Sequence, residues 1–549
     1  MHRQGRAFDR DVQFDMIGFV WRLRRAIAMD QITKKLQSAY DAVAYESGVY
    51  RQSHPRQIAV VGLLAGLAPA NVESCRILEI GCASGSNLLP MAEQLPASRF
   101  LGIDLSQRQI ETGSNIVREL KLTNIELRCQ DIMDFPVDAG QFDYIIAHGI
   151  YSWVPPAVQQ KLLEICRAHL ATQGLALISY NTYPGWRVKE IAREMMLYHA
   201  RNAADAAQSI ARGREIVQFV SEHATDTGYY RDAMRHNHQR TLEGSDQYIL
   251  HDHMETVNEP RYFWRFMEEA HTHGLAYVAE SGADADPWVR ISKPVREEIA
   301  KMSADRLERE QYLDFLVNRT FRSSVLCLTE AADVTKSPSP NHIRRLQVAG
   351  NPPEVDDGKN AQGLPRFKFG EGNYQVVLSD PRSIAVLRHL RRAWPASVPF
   401  AELVTAYINQ SAIDPGQNKA VEALERLVEA YYGLGIVELW TGPCNRISPT
   451  PGIYPRATRY ARWQAVHNVP VISLRHSAAN LDDAFRQLLP LLDGTHDRKA
   501  LAAEILRRSQ TDGGTAWPNK TPKELDQLIE SALKLMAGSS LLLKEPEGS

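Results

Sequence analysis

Short apolar runs alternate with amphipathic stretches between residues 76 and 180. The runs RILEI (76–80), RFLGID (99–104), IELRCQD (125–131), FDYIIA (142–147) and LALISY (175–180) predict strands. The segments SNLLPMAEQL, SQRQIETGSNIVRELKL and VQQKLLEICRAHL between them predict helices, the second opening at the capping residue Ser106. The order β-α-β-α-β-loop-β-α-β predicts a doubly wound sheet that receives ligands at the carboxyl ends of its strands. Residues 186–247 have a mostly helical pattern, and Asn258-Glu259-Pro260 predicts a helix start. Phe263, Phe266, Met267 and Ala270 then fall on one helical face, and Gly274 is a natural stop.

Residues 333–365 hold Ser337-Pro338-Ser339-Pro340, Asn351-Pro352-Pro353 and Asp356-Asp357-Gly358, which predicts a linker. Beyond it, helices over 399–409 and 417–432 and a strand over 436–440 suggest a winged-helix-like module, and 478–545 reads as a small helical domain. A chain of 549 residues accommodates several domains.

Net charge is −2, which gives no overall attraction to nucleic acid. The second helix of the winged-helix-like module carries Glu422, Glu425 and Glu429 against Lys419 and Arg426, the wrong balance for phosphate contacts. No run is long and apolar enough to span a membrane. The N-terminus lacks a convincing signal peptide, and the six cysteines form no C-x-x-C pair, so a reducing cytoplasm is expected. The pairs His236/His238, His251/His253 and His271/His273 lie mostly in helical pattern, where residues i and i+2 diverge, so no metal site is expected.

The strongest chemical signal is Glu79-Ile80-Gly81-Cys82-Ala83-Ser84-Gly85-Ser86, directly after the first strand. Asp104 ends the second strand and Asp131 the third. A carboxylate after the second strand can accept from ribose hydroxyls, and one after the third from an adenine amino group, with Ile132 beside the ring. Ala83 stands where a nicotinamide fingerprint needs its second glycine. The pattern E-x-G-x-x-x-G resembles motif I of class I methyltransferases that use S-adenosylmethionine (SAM). That resemblance, over about 36–185, implies a cofactor site of Glu79, Gly81, Ala83, Gly85, Asp104, Leu105, Asp131, Ile132 and His148.

Methyl transfer is an in-line displacement that needs alignment more than acid–base groups. An amine acceptor must shed its proton, and an apolar aromatic mouth helps by disfavouring the ammonium. Aromatic residues cluster after the fourth strand (Tyr151, Trp153), after the fifth (Tyr183, Trp186, with Asn181) and before the first (Tyr40, Tyr45, Tyr50). Tyr45, Tyr151, Trp153, Asn181, Tyr183 and Trp186 are the candidate acceptor-side residues; packing in the core or a lid is the alternative for each aromatic ring. Asn181 opens N-T-Y-P rather than N-P-P-Y and follows the fifth strand, which argues against nucleobase methylation.

AHGIYSWVP (147–155), SYNTYPGW (179–186), YILHDHMETVNEPRYFWRFMEEAHTHGL (248–275), LLDGTHDRKAL (491–501) and the Tyr40–Pro55 segment resemble a narrower group. These are bacterial methyltransferases with a methyltransferase regulatory domain, among them lysine methyltransferases acting on outer-membrane proteins. The resemblance implies an α/β Rossmann-like domain followed by mostly helical regulatory and winged-helix-like domains, a helical dimerisation insert, hence a homodimer, and a wide pocket. The expected divisions are an N-terminal extension (1–35), the SAM domain (36–190), helical insert and regulatory domain (191–300), a connecting region (301–380), the winged-helix-like module (381–456) and a C-terminal helical domain (457–549). A protein lysine is the expected acceptor; a small-molecule acceptor and a non-catalytic SAM-binding regulator stay open.

Overall fold

The computed structural model describes residues 48–226, 228–282, 287–332, 340–355, 363–369, 374–409, 417–444, 446–511 and 521–545. The N-terminal extension, the Tyr40–Ser47 stretch with Tyr45, and parts of the expected linker lie outside the described residues.

The five expected strands form: β1 (Arg76–Ile80), β2 (Arg99–Asp104), β3 (Ile125–Cys129), β4 (Phe142–Ala147) and β5 (Leu170–Asn181). All pair in parallel. Ile77, Leu78 and Ile80 of β1 are buried, because a parallel strand is covered on both faces; Glu79 is the one carboxylate among them. The helices Leu88–Gln94, Gln107–Glu119 and Pro156–His169 fall where the pattern put them, and Ser106 caps the second by accepting from Gln109 N–H at 3.2 Å.

Two further strands, β6 (Leu275–Glu280) and β7 (Phe321–Leu328), complete a seven-stranded sheet of order β3-β2-β1-β4-β5-β7-β6. β7 runs antiparallel to both its neighbours. The sheet thus takes strands from well beyond residue 190, and it is mixed rather than wholly parallel. Its two faces bury separate cores. One packs Ile58 and Val61 of helix Pro55–Leu64, and the other packs helix Pro156–His169 and helix Phe263–Thr272. That last helix buries Phe263, Phe266, Met267 and Ala270 as expected, and Gly274 (φ +72°) ends it. It starts at Phe263, not at Pro260; Asn258 is no cap and instead accepts from Asn181 Nδ2 at 2.9 Å.

Between β5 and β6 the chain makes helices Gly185–Ala200, Ala206–His223 and Tyr229–Glu243 with their own small core, then a π-helical turn, Ile249–His253. Residues 381–440 form helix, strand, helix, helix and strand, with a short sheet of 398–399, 347–349 and 438–440. The terminal unit joins helices Arg459–Val466, Asp483–Leu488, Arg498–Thr511 and Pro522–Gly538 to two short strand pairs. Among the described residues no helix is long and apolar enough to cross a membrane.

Candidate active site

At β1 the strand order reverses, and a cavity of about 420 Å³ opens there at the carboxyl ends of β1, β2 and β4. Its far wall comes from the helical insert.

The turn after β1 puts Gly81 (φ +74°), Ala83 (φ +48°) and Gly85 (φ +73°) in the left-handed region. Ala83 N–H donates to Asp104 Oδ2 at 2.8 Å and Ser106 N–H to Asp104 Oδ1 at 2.9 Å, so backbone amides on two loops hold that carboxylate in place. Gly113 lets the next helix approach, since a Cβ there would sit 2.2 Å from the Ser84 carbonyl oxygen.

Glu79 is buried beneath this turn. Its Oε1 accepts from Asn87 Nδ2 at 2.7 Å, and its Oε2 has no partner among the described residues. Burial pushes its pKa up to about 8, against the lowering effect of the Asn87 hydrogen bond. A buried carboxylate with an open oxygen fits a cationic group, such as the amino end of SAM. Asp131 Oδ1 accepts from Met133 N–H at 2.9 Å, which directs the carboxylate after β3, and Ile132 presents an apolar flank beside it. His148 packs against Tyr50, with ring centroids 3.9 Å apart; burial lowers its pKa to about 4, so it is neutral.

Of the nine residues expected on the cofactor side, all but Gly85 line the cavity. Gly85 shapes the turn instead: a Cβ there would stand 3.0 Å from Leu127. On the acceptor side Trp153, Asn181 and Trp186 line it, the two indoles packed edge to face at 6.0 Å. Tyr151 and Tyr183 do not. Tyr151 turns into the core against Phe266 and donates to Glu269 at 2.6 Å, because the tight turn over 151–153 sends it and Trp153 in different directions. Tyr183 donates to Glu190 at 2.5 Å under the Arg187 guanidinium, fastening the start of the insert.

Asn87, Lys189 and Asp252 also line the cavity, beyond the expected set. Asn87 stands where a helix cap is expected but makes no capping bond and serves Glu79 instead. Lys189 and Asp252, one turn past Trp186 and inside the π-helical turn, line the end of the cavity walled by the insert, its outer end as opposed to the strand-end side. Lys189 Nζ lies 4.9 Å from the Trp186 ring, and burial lowers its pKa. Burial raises the pKa of Asp252, opposed by Lys189 and Arg240. The insert alone brings these groups to the sheet, and no local spacing signals that.

Three family models match the chain: a methyltransferase domain over residues 77–174, a predicted methyltransferase regulatory domain over 245–328, and a PKMT C-terminal winged helix domain over 454–541. The regulatory match contains β6 and β7, so that region completes the cofactor-binding sheet. The winged-helix match falls on the terminal unit expected to be helical, while 381–440 has a separate helix–strand–helix–helix–strand arrangement. The uncharacterised protein RP789 of Rickettsia prowazekii is 29% identical over 92% of this chain and 93% of its own length. RP028 of the same organism, also uncharacterised, is 36% identical over 44% of this chain and 96% of its own. The structure of PKMT2 from Rickettsia typhi in complex with AdoHcy superposes with a TM-score of 0.79, at 25% identity, over 91% of this chain and 99% of that one. With the sheet order, the turn after β1 and these matches in agreement, the protein belongs to the class I SAM-dependent methyltransferases that carry a methyltransferase regulatory domain.

Proposed function

We propose that the protein transfers the methyl group of SAM to the side-chain amine of a protein lysine. Lys189 carries this reading. The outer end of the cavity already holds an alkylammonium against the Trp186 ring, and burial there depresses its basicity. An incoming lysine would meet the same two aids. The ring face attracts its chain and cation, and loss of hydration favours the neutral amine that can attack. The relative's designation as a PKMT, a protein lysine methyltransferase, points the same way.

Bound SAM supplies an electrophilic methyl on a sulfonium. In this reading Glu79 receives the cofactor's ammonium, Asp104 accepts from the ribose hydroxyls, and Asp131 with Ile132 takes the adenine. Neutral His148 would add no like charge to the wall of a site that takes a sulfonium. Trp153 and Trp186 line the cavity and would align an incoming amine with the cofactor.

The test is incubation of the purified protein with methyl-labelled SAM and a lysate of its own organism. Label in discrete proteins, mapped to lysines by mass spectrometry, is the expected result. Label confined to small molecules would move the acceptor to a metabolite.

A further inference from the structure

The C-terminal domain reaches the cofactor end of the cavity without lining it. Between its strands Val471–Ile472 and Ala478–Ala479 the chain turns tightly, with Ser473 N–H donating to Ser477 O at 2.9 Å and His476 N–H to Ser473 O at 3.0 Å. His476 takes φ +57°, an uncommon conformation for a non-glycine residue, and its side chain is 2% exposed. Its Nε2 lies 2.8 Å from Asn87 Oδ1.

Asn87 uses its whole hydrogen-bonding capacity. Oδ1 accepts from Tyr50 N–H at 3.1 Å and from His476; Nδ2 donates to Ser53 Oγ at 3.0 Å and to Glu79 Oε1 at 2.7 Å. The Tyr50 amide can only donate, so the atom it meets is Oδ1 and the Asn87 amide has one consistent orientation. His476 must then carry its proton on Nε2, and burial, which lowers its pKa to about 3, keeps it neutral. The contact does not depend on His476 alone for docking. The Glu93 carboxylate accepts from Arg459 and Tyr460 N–H at 2.7 and 3.0 Å, and Trp463 Nε1 donates to Glu119 at 2.9 Å.

We propose that His476 is a positioning residue for SAM: through Asn87 it orients Glu79 toward the cofactor's ammonium, so the C-terminal domain sets affinity for the amino-acid half of the cofactor. This rests on the assignment of Glu79 to that ammonium. A donor lost at His476 leaves Asn87 Oδ1 with one partner and frees the amide to rotate, which loosens the carboxylate it holds.

The experiment is calorimetry on the full chain with AdoHcy and with 5′-methylthioadenosine, which has the adenosine and thioether but no amino-acid arm. His476→Leu, which fills the space but cannot donate, is expected to weaken AdoHcy about tenfold and 5′-methylthioadenosine less than about twofold. His476→Gln, which restores an N–H donor, is expected to recover most of the loss. Equal losses for both ligands, no loss for either, or failure of both variants to fold would overturn the proposal by making His476 structural or idle. Glu79→Gln in the same assay separates the two readings. If it spares AdoHcy, the ammonium assignment fails; if it weakens AdoHcy selectively while His476→Leu does not, only the role of His476 fails.

Discussion

The inner and outer ends of the cavity are built by different means. The inner end is backbone: three left-handed residues in one turn, and a carboxylate at Asp104 held by two amides. The outer end is side chains: the Trp153 indole from the turn after β4, and the Trp186 indole, a lysine and an aspartate from the helical insert. A rigid inner end suits one invariant ligand. An outer end of side chains on separable helices suits an acceptor presented by another molecule, and it can change without disturbing the cofactor.

Breaking the inner end should have the largest effect. Gly81→Val puts a β-branched residue at φ +74° with its Cβ 3.1 Å from Ile150, on the cavity wall. SAM binding should become undetectable by calorimetry in a protein that still folds by circular dichroism; near-normal binding would move the site elsewhere. Asp104→Ala removes an acceptor of charge-assisted hydrogen bonds worth ~1.5–3 kcal/mol. The dissociation constant should rise by roughly 10- to 150-fold, and an unchanged value would reject Asp104 as the ribose acid.

A pH series sharpens the contrast. Glu79 of the ligand-free protein, with a pKa of about 8, is largely protonated at neutral pH. Because its folded value lies above its unfolded one, its contribution favours the fold below the unfolded pKa and is lost as pH rises through about 8. An ammonium ligand favours the ionised form, so AdoHcy should release a proton on binding and weaken as pH falls from 8 to 6, by up to about tenfold per unit. The dissociation constant of 5′-methylthioadenosine should stay flat over the same range. A flat profile for both ligands would mean that Glu79 does not meet the ammonium.

At the outer end the effects are smaller and fall on a different constant. Trp186→Ala removes a ring face worth ~0.5–2 kcal/mol to a cation. It should lower kcat/KM for a protein acceptor by roughly 2- to 30-fold and leave SAM affinity within about twofold. An equal loss in SAM affinity would erase the distinction between the two ends.

The same division governs what was legible in the sequence. β1 to β5 declare themselves as apolar runs, and the residues that meet the cofactor end follow them by a few positions, so that end could be read locally. β7 was hidden by its own chemistry. Its FRSSVLCL run (321–328) is interrupted by Arg322, Ser323 and Ser324, yet Arg322 is wholly buried, donating to Glu280 at 2.7 Å and to Asp314 at 2.8 Å. An internal ion-pair cluster made a buried strand look like a surface one, and its partner β6 was lost with it. Tyr151 and Tyr183 show the converse limit. Proximity to a strand end brought them near the site, and only tertiary partners, Glu269 and Glu190, decide where their hydroxyls point. Asn87 and His476 are 389 positions apart, beyond the reach of any spacing rule.

The most direct test joins the two ends in one ligand: an AdoHcy analogue extended from its sulfur by a short aminoalkyl arm, titrated against the same analogue with an uncharged alkyl arm of equal length. The amine form is expected to bind roughly tenfold tighter, with the advantage lost in Trp186→Ala. Equal or tighter binding of the uncharged arm would contradict a cavity that presents a lysine amine to SAM.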